Sequence, residues 1–371
     1  MSIYQTPLHF GYFLGLLFAI LLWFRGWQEE RLSDKLLGFV MFFLAMEIQD
    51  YTFGFSGINI LWEELNGFPR YFHLAFAPTI YFYLKSQINR NFKFEPKNWL
   101  HYIPYFIYFV INLTVFIQGP EAVKNYYKSE IVYWLGWLED IAIWASYGYY
   151  FYHSLKIYRE YRQWAETQFS NTETISFIWL RNFIYLIIAG ELFKWLWYLI
   201  DTLLGNLPFE QDWWWHLFTV VIICYVGIKG YSQIQPKKLV FDDSEPLENI
   251  LIEDESTKIT SVIDYSDWKP KIEKLFIEQK IYLEPELSLA DLAQKLKTNT
   301  SVLSAAINQN FNKNFNDFVN EFRVEEFKRI AQLPEYKNLT LLAIAFDCGF
   351  NSKATFNRAV KKITGLSPKE I

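Results

Sequence analysis

The sequence predicts an all-α protein in which a seven-helix transmembrane bundle is followed by a separate, soluble helical domain. Three observations lead to this fold class. Hydrophobic residues make up 52% of the 371 residues and charged residues only 20%, whereas soluble domains average about 25% charged residues. Long apolar blocks recur over residues 1–232 and then stop. From residue 236 onward the chain has the composition of a soluble protein, with helical and not strand-like periodicity.

Seven apolar blocks approach the length of a transmembrane helix. Such a helix needs roughly 20 mostly apolar residues, because the hydrocarbon core is about 30 Å thick and each residue adds about 1.5 Å. The second block contains Glu47 and Asp50, and the third is short and contains Pro78, so these two depart furthest from the pattern. The predicted blocks are 8–24, 36–55, 71–84, 99–117, 131–155, 177–204 and 213–230.

The loops between these blocks predict how the chain crosses a membrane, because cytoplasmic loops carry an excess of Lys and Arg. Thirteen basic residues follow the odd-numbered blocks: Arg25, Arg31, Lys35, Lys85, Arg90, Lys93, Lys97, Lys156, Arg159, Arg162, Lys229, Lys237 and Lys238. The other loops hold three: Arg70, Lys124 and Lys128. We therefore expect a multi-pass protein of a bacterial cytoplasmic membrane, with the amino terminus outside and the carboxyl terminus in the cytoplasm. No basic residue precedes the first block, so we expect it to stay as an anchor.

An acidic segment separates the two predicted domains. The transmembrane domain, the expected sensor, takes residues 1–234, the linker 235–267 and the soluble domain 268–371. Nine acidic residues and one basic residue, Lys258, lie over 239–267. This composition is typical of a flexible, solvated connector. Alternatively, the segment repels anionic lipid and DNA and holds the last domain away from the membrane.

The soluble domain shows the same pattern of two short amphipathic helices twice. Each pair is joined by a tight turn, which is the pattern of a helix-turn-helix. Asn299 and Ser352 are suited to cap the second helix of each pair, and Gly349 lies in the second turn. A longer helix over 315–330 separates the pairs and fixes their spacing. The apolar positions are Leu289, Leu292, Ala293, Leu296, Val302, Leu303, Ala306 and Ile307 in the first pair, and Leu341, Ile344, Ala345, Cys348, Phe356, Ala359, Val360 and Ile363 in the second.

These residues resemble the double helix-turn-helix of AraC/XylS-type transcription regulators. The most specific part of the resemblance is the run GFNSKATFNRAVKKITGLSP over 349–368. The resemblance covers about the last hundred residues and leaves the membrane half unrecognised. It implies a cytoplasmic domain that binds double-stranded promoter DNA. The 16 basic against 12 acidic residues from 268 onward fit this partner, because phosphate binding needs a basic surface.

The resemblance also implies which residues meet DNA. The second helix of each pair, over 300–309 and 353–364, would enter the major groove. Arg and Asn can bond guanine and adenine bidentately, and lysines suit the phosphates. The first pair departs from the family pattern, since Lys297 replaces the usual Gly, Ala305 replaces a common Arg and Ile307 replaces the usual Phe. The helix over 300–309 therefore either contacts bases through Ser304 and Asn308 or mainly sets the register of the domain on DNA. The expected contacts are Ser301, Ser304, Ala305 and Asn308 in the first pair, Lys353, Asn357 and Arg358 to bases in the second, and Lys361 and Lys362 to phosphates.

Charged residues inside the apolar blocks are the candidates for a signal site, because such residues are costly in a bilayer and tend to be paired or functional. They are Glu47, Asp50, Glu139, Asp140, Glu191 and Lys194. Glu191 and Lys194 stand three residues apart on one helix and can satisfy each other. The alternative is a polar pocket that binds a small signal molecule.

Histidine and tryptophan residues in the blocks have simpler interpretations. His73 and His216 lack metal-ligand spacing, so packing roles are favoured and no metal is expected. The three tryptophans over 213–215 suggest an interfacial belt, or else a surface that stacks on a ligand. No catalytic or cofactor motif is present.

The sequence thus predicts a non-enzymatic, membrane-bound, one-component regulator that senses a signal and binds promoter DNA, with a homodimer as one expected form. One alternative is a transporter or membrane enzyme with a regulatory DNA-binding tail, although inverted repeats are not visible. Another is a membrane-tethered regulator that proteolysis in the acidic linker releases.

Overall fold

The computed structural model describes residues 5–57, 67–173, 175–204, 208–233, 239, 241 and 265–371. The named secondary-structure elements of these residues are all helices, and Phe169 and Ser288 form an isolated antiparallel bridge. The predicted all-α fold class is therefore confirmed. The chain divides into two compact units. The first unit is Met1–Tyr158 with Phe177–Val240, and the second is Arg159–Ser176 with Phe241–Ile371.

The described α-helices of the first unit overlap the predicted apolar blocks, except for a short helix at Pro120–Tyr127. They are α1 (Gln5–Gln28), α2 (Leu32–Phe55), α3 (His73–Ile88), α4 (Ile103–Phe116), α5 (Pro120–Tyr127), α6 (Glu130–Gln168), α7 (Ile178–Leu204) and α8 (Trp213–Ser232). Two 3-10 helices, Pro96–Tyr102 and Phe209–Asp212, precede α4 and α8. The boundary between the two units falls inside α6, which is 39 residues long.

Helices α1, α2 and α8 pack together through small and aliphatic residues such as Ala19, Ala45 and Ile223, all almost completely buried. The tight turn between α1 and α2 is closed by an ion pair, in which Arg25 Nε lies 2.6 Å from the buried Asp34 carboxylate. A buried charge is stable only when it is paired. The ion pair therefore fixes the orientation in which α2 packs antiparallel to α1.

Five helical stretches of the first unit are long and apolar enough to cross a membrane: Gln5–Gln28, Leu32–Phe55, Pro96–Phe116, Ile178–Leu203 and Glu210–Ser232. They correspond to the first, second, fourth, sixth and seventh predicted blocks. The third block forms α3, whose 16 residues reach only about 24 Å. The fifth lies within α6, where tyrosines, tryptophans, Glu139 and Asp140 reduce the hydropathy. The count of seven spans stays a prediction.

One face of α1 exposes a continuous apolar stripe. Its side chains recur every three or four residues and are between 52% and 60% exposed: Phe10, Phe13, Leu17, Ile20 and Phe24. Soluble surfaces seldom carry large apolar patches of this kind. The stripe is suited to contact with lipid chains.

The second unit holds two apolar cores that share one helix. Its helices are α9 (Trp268–Glu278), α10 (Leu289–Leu296), α11 (Thr300–Phe311), α12 (Phe315–Ala331), α13 (Leu341–Asp347) and α14 (Lys353–Thr364). The first half of α12 packs with α9, α10 and α11 through Phe315 and Phe318. The second half packs with α13 and α14 through Val324 and Phe327. The longer helix predicted between the two helix pairs is thus present and contributes to both cores.

The second unit also includes a segment that the sequence did not single out, Arg159–Ser176. Tyr161 in the last turns of α6 is fully buried, and its hydroxyl donates to the carbonyl oxygen of Ile175 at 2.6 Å. The ring of Phe241 packs against Tyr161 and Trp164. Most of the predicted acidic linker, 235–267, lies outside the described residues.

Candidate nucleic-acid interface and polar pocket

The first helix pair of the second unit is α10 and α11. Ser288 and Asp291 form a capping box at the start of α10. The helix ends at Lys297, whose backbone is left-handed with φ +55°. Asn299 then caps α11 as the sequence predicts, because its side-chain oxygen accepts from the Val302 amide at 2.8 Å.

The second pair, α13 and α14, is built in the same way. Thr340 caps α13 by accepting from the Ala343 amide, and Ser352 caps α14 by accepting from the Thr355 amide at 3.1 Å. Gly349 in the turn has φ +87°, and a Cβ there would lie 2.6 Å from the carbonyl oxygen of Tyr282. Only glycine combines this backbone with this close approach.

Core packing decides which side chains of α14 face outward. Phe356, Ala359 and Val360 are buried against Phe327 and Phe350. The opposite face therefore exposes all five residues predicted to contact DNA: Lys353, Asn357, Arg358, Lys361 and Lys362.

Helix α11 presents a neutral face. Ser301 and Asn308 are exposed, while Ser304 and Ala305 are half-buried. The helix contains no charged residue. Its chemistry thus differs from that of α14, although both helices are capped by the same kind of contact.

The basic residues of α14 differ in their partners. Lys362 Nζ lies 2.6 Å from the Asp317 carboxylate at the first turn of α12. Within the residues that the structure describes, no ion pair is seen for Lys353, Arg358 or Lys361. These three cations are therefore available to an external anion.

Arg323 is a fully buried residue in the middle of α12. Its Nε donates to the carbonyl oxygen of Tyr282 at 2.7 Å, and one terminal nitrogen donates to the carbonyl oxygen of Glu284 and to Ser170 Oγ. Burial lowers the pKa of Arg323 to about 10, so the side chain stays charged at neutral pH. Arg323 holds three segments of the second unit together, a role that sequence reasoning missed.

A partly exposed network of ion pairs anchors another part of α12. Glu326 contacts Lys280 and Arg329, each at 2.8 Å. The hydrogen bond from Arg329, supported by Lys280, lowers the pKa of Glu326 to about 2. The Glu326 carboxylate is therefore ionised throughout the physiological pH range. Its ion pair with Lys280 joins α12 to the residue that precedes the 3-10 helix Ile281–Leu283.

Glu173 lies at the amino-terminal end of α14. Its carboxylate accepts a hydrogen bond from Ser352 Oγ and another from Thr355 Oγ1, the latter at 3.1 Å. Sequence reasoning missed this residue as well, because nothing in the local pattern around residue 173 indicates a partner 180 positions away.

The first unit contains a pocket of about 480 Å³, its open mouth included. Two of the predicted signal-site residues, Glu47 and Glu191, line it together with His73 and several aromatic rings. Lys194 bonds Glu47 at 3.5 Å, and its Nζ lies over the Trp215 ring. The structure therefore shows Lys194 paired with α2, whereas the sequence suggested a pair with Glu191.

The other predicted signal-site residues lie elsewhere. Asp50 pairs with Arg70 at 2.8 Å and accepts a hydrogen bond from Tyr71. Glu139 and Asp140, on α6, are half-buried and exposed respectively and do not line the pocket.

His73 has a polar partner, whereas His216 and the tryptophan cluster have packing contacts. His73 Nε2 is 3.4 Å from Glu47, and His216 stacks on Tyr51. Trp213 and Trp214 pack edge to face, while Trp215 lines the pocket. Among the residues that the structure describes, no group of three potential metal ligands is found.

Comparison with known families finds one match, which lies in the second unit. Residues 292–371 match the family model of a helix-turn-helix domain. The matched family is that of AraC-type helix-turn-helix domains. The AraC-type domain includes α11, α14 and the shared helix α12, so the predicted resemblance is confirmed. The match covers about a fifth of the chain and does not extend to the first unit, which stays unrecognised. No curated protein and no solved structure is detectably similar to this chain.

Proposed function

We propose that this protein is a membrane-bound one-component transcription regulator. The observation that carries the proposal is the AraC-type domain, whose helix α14 exposes Lys353, Asn357 and Arg358 on the face turned away from its core. These are side chains that read base edges in the major groove. Proteins that carry this domain are DNA-binding regulators, so no enzymatic activity is proposed.

We further propose that the two helix pairs act as two helix-turn-helix units, with α11 and α14 as the recognition helices. Because α14 exposes positively charged side chains, we propose that it makes most of the contacts that recognise the base sequence. The neutral face of α11 suits it to setting the register, with Ser301, Ser304 and Asn308 as its polar contacts. A homodimer would bind two half-sites, as is usual for helix-turn-helix proteins.

The apolar helices of the first unit support a location in the cytoplasmic membrane. Five stretches are long and apolar enough to span it, and the lipid-facing stripe of α1 fits that environment. We propose that α3 and the first part of α6 complete seven spans, with the amino terminus outside. Helix α6, at about 58 Å, is nearly twice as long as the hydrocarbon core is thick, so its end would project into the cytoplasm.

The pocket between α2, α3, α7 and α8 is the proposed signal site. Its carboxylates and aromatic rings favour a small organic cation, since such groups attract cations in a desolvated site. The ammonium group of Lys194, which contacts Glu47 and the Trp215 ring, supports this choice because both partners also line the pocket. Amines should raise the melting temperature of the detergent-solubilised protein, and Glu191→Gln should weaken that effect while a variant of the exposed Asp140, Asp140→Asn, should not.

Two experiments on the intact, tagged protein test the proposed function. One maps the genomic DNA sites that the protein occupies, and the other separates membrane from soluble fractions of the same cells. Full-length protein in the membrane fraction, crosslinked to a small set of promoters, is the expected result. If only a soluble fragment is found on DNA, proteolytic release is the correct alternative. If the protein occupies no DNA, the transporter or membrane-enzyme alternative gains support and the proposed function is wrong.

A further inference from the structure

The end of α14 that enters the major groove in helix-turn-helix proteins is occupied in this structure by another part of the chain. Recognition helices contact base edges with their amino-terminal residues, and free backbone amides at a helix start bind phosphate oxygens. Glu173 lies at this end and bonds both Ser352 and Thr355. The contacts are to the two side-chain hydroxyls, so a carboxylate of the protein lies at the end of the helix that a phosphate of a docked duplex would approach.

The segment that carries Glu173 is held firmly on the second unit. Residues 169–173, named the clasp here, are anchored by Ser170, whose amide and hydroxyl both donate to the Leu287 carbonyl oxygen at 3.1 and 2.6 Å. The Asn316 side-chain amide donates to the carbonyl oxygens of Phe169 and Ser170. Arg323 donates to Ser170 Oγ. Ser170 and Thr172 are buried, so the clasp is part of the packed unit.

Electrostatics favour the carboxylate at this position. The helix dipole places partial positive charge at the start of α14, and that charge attracts anions. Lys353, in the first turn, adds a full positive charge. A duplex that docks α14 must therefore displace Glu173 or forgo contacts at the amino-terminal end of the helix.

We infer that the clasp is a built-in competitor of DNA, and that Glu173 lowers the affinity of the resting protein by occupying the start of α14. The inference rests on the proposed function and adds its regulation. The clasp follows α6 directly along the chain and precedes α7, which carries Glu191 of the pocket. Because the clasp is the chain segment between α6 and α7, a signal that moves either helix can pull on the clasp and so change its contact with α14.

The test compares Glu173→Gln with Glu166→Gln in the full-length protein in lipid nanodiscs. Both variants remove one negative charge from Arg159–Ser176, but Glu166 pairs with Arg162 at 3.5 Å within α6, and among the described residues no bond from Glu166 to α14 is seen. The probe is a random-sequence 40-base-pair duplex at low salt. We expect Glu173→Gln to bind about tenfold more tightly than Glu166→Gln, because two charge-assisted hydrogen bonds become neutral ones.

A second readout follows the clasp itself. Hydrogen exchange of backbone amides in 169–173 should become faster when wild-type protein is saturated with the duplex. Equal affinities of the two variants, or unchanged exchange in the clasp at saturation, would overturn the inference and leave the proposed function standing. If neither variant nor the wild type binds the duplex, DNA binding itself is refuted and the inference falls with it.

Discussion

Lys362 Nζ and the carboxylate of Asp317 are 2.6 Å apart, so a lysine that the sequence assigns to DNA phosphate already has an anion inside the protein. The pair joins the last turn of α14 to the first turn of α12. Lys362 is 60% exposed, and exposed pairs of this kind contribute little to stability. The pair therefore matters mainly for DNA binding, because Lys362 must leave the Asp317 carboxylate before it can contact a DNA phosphate.

We predict that Asp317→Asn raises the affinity for random DNA and steepens its salt dependence by up to about one unit of slope, since Lys362 becomes free to meet a phosphate. Fluorescence anisotropy at several salt concentrations measures both effects. The matched control is Glu325→Gln on the same helix, which makes the same charge change but releases only its neighbour Lys328. Equal effects of the two variants would show that net charge alone is responsible.

The second prediction separates base reading from phosphate binding within α14. Arg358→Ala should lower affinity for a mapped promoter site by about 1 to 3 kcal/mol and flatten the preference at one or two base positions. Lys361→Ala should weaken promoter and random DNA alike and reduce the salt slope by about one. Ser304→Ala in α11 should cost less than about 1 kcal/mol. A loss of sequence preference in Ser304→Ala but not in Arg358→Ala would mean that α11 is the reader.

Local patterns predicted much of the second unit, because caps, turns and apolar periodicity act over a few residues. Asn299, Ser352 and Gly349 have the roles expected of them. The contacts that join Arg323 to Ser170 and Glu173 to Ser352 span more than 150 positions, so no local pattern could indicate them. In the first unit, long apolar blocks predicted the positions of the α-helices other than α5, whereas the pairing of Lys194 with Glu47 depends on how α7 packs against α2.

The third prediction concerns the soluble part alone. The fragment 265–371 contains both apolar cores and all of α9 to α14, so it should fold as a helical monomer or dimer and bind DNA with strong salt dependence. Circular dichroism and anisotropy measure these properties. The fragment lacks Ser170, but the buried Arg323 keeps its hydrogen bonds to the carbonyl oxygens of Tyr282 and Glu284. An unfolded fragment would mean that the segment Arg159–Ser176 is required for folding.

The fourth prediction uses the two left-handed turn positions. Gly349→Ala should destabilise the fragment by about 2 to 4 kcal/mol, because it adds backbone strain and a Cβ that meets the Tyr282 carbonyl oxygen. Lys297→Gly should stabilise it by at most about 1 kcal/mol, since relief of strain is partly offset by the greater freedom of glycine in the unfolded chain. Urea unfolding followed by circular dichroism measures both. Equal destabilisation by the two changes would contradict this account of the turns.

The fifth prediction concerns topology. A reporter fused after Lys238 should be active only in the cytoplasm, and one inserted at Asn206 only outside, because of the distribution of basic residues. Alkaline phosphatase and a fluorescent protein report the two compartments, and exchanging the reporters between the sites is the internal control. Activity of both fusions in the same compartment would rule out the arrangement with seven spans.

The sharing of α12 between two cores constrains how this domain can evolve. The two helix pairs resemble each other, which suggests interchangeable modules, yet each completes its core with one half of the same helix. A recombination event that exchanged one pair would have to cut α12 near Arg323 and keep the register of both halves, since a shift of one residue turns a helix face by about 100°. We therefore expect the two pairs to be inherited together, with changes of DNA specificity arising from substitutions on their outer faces.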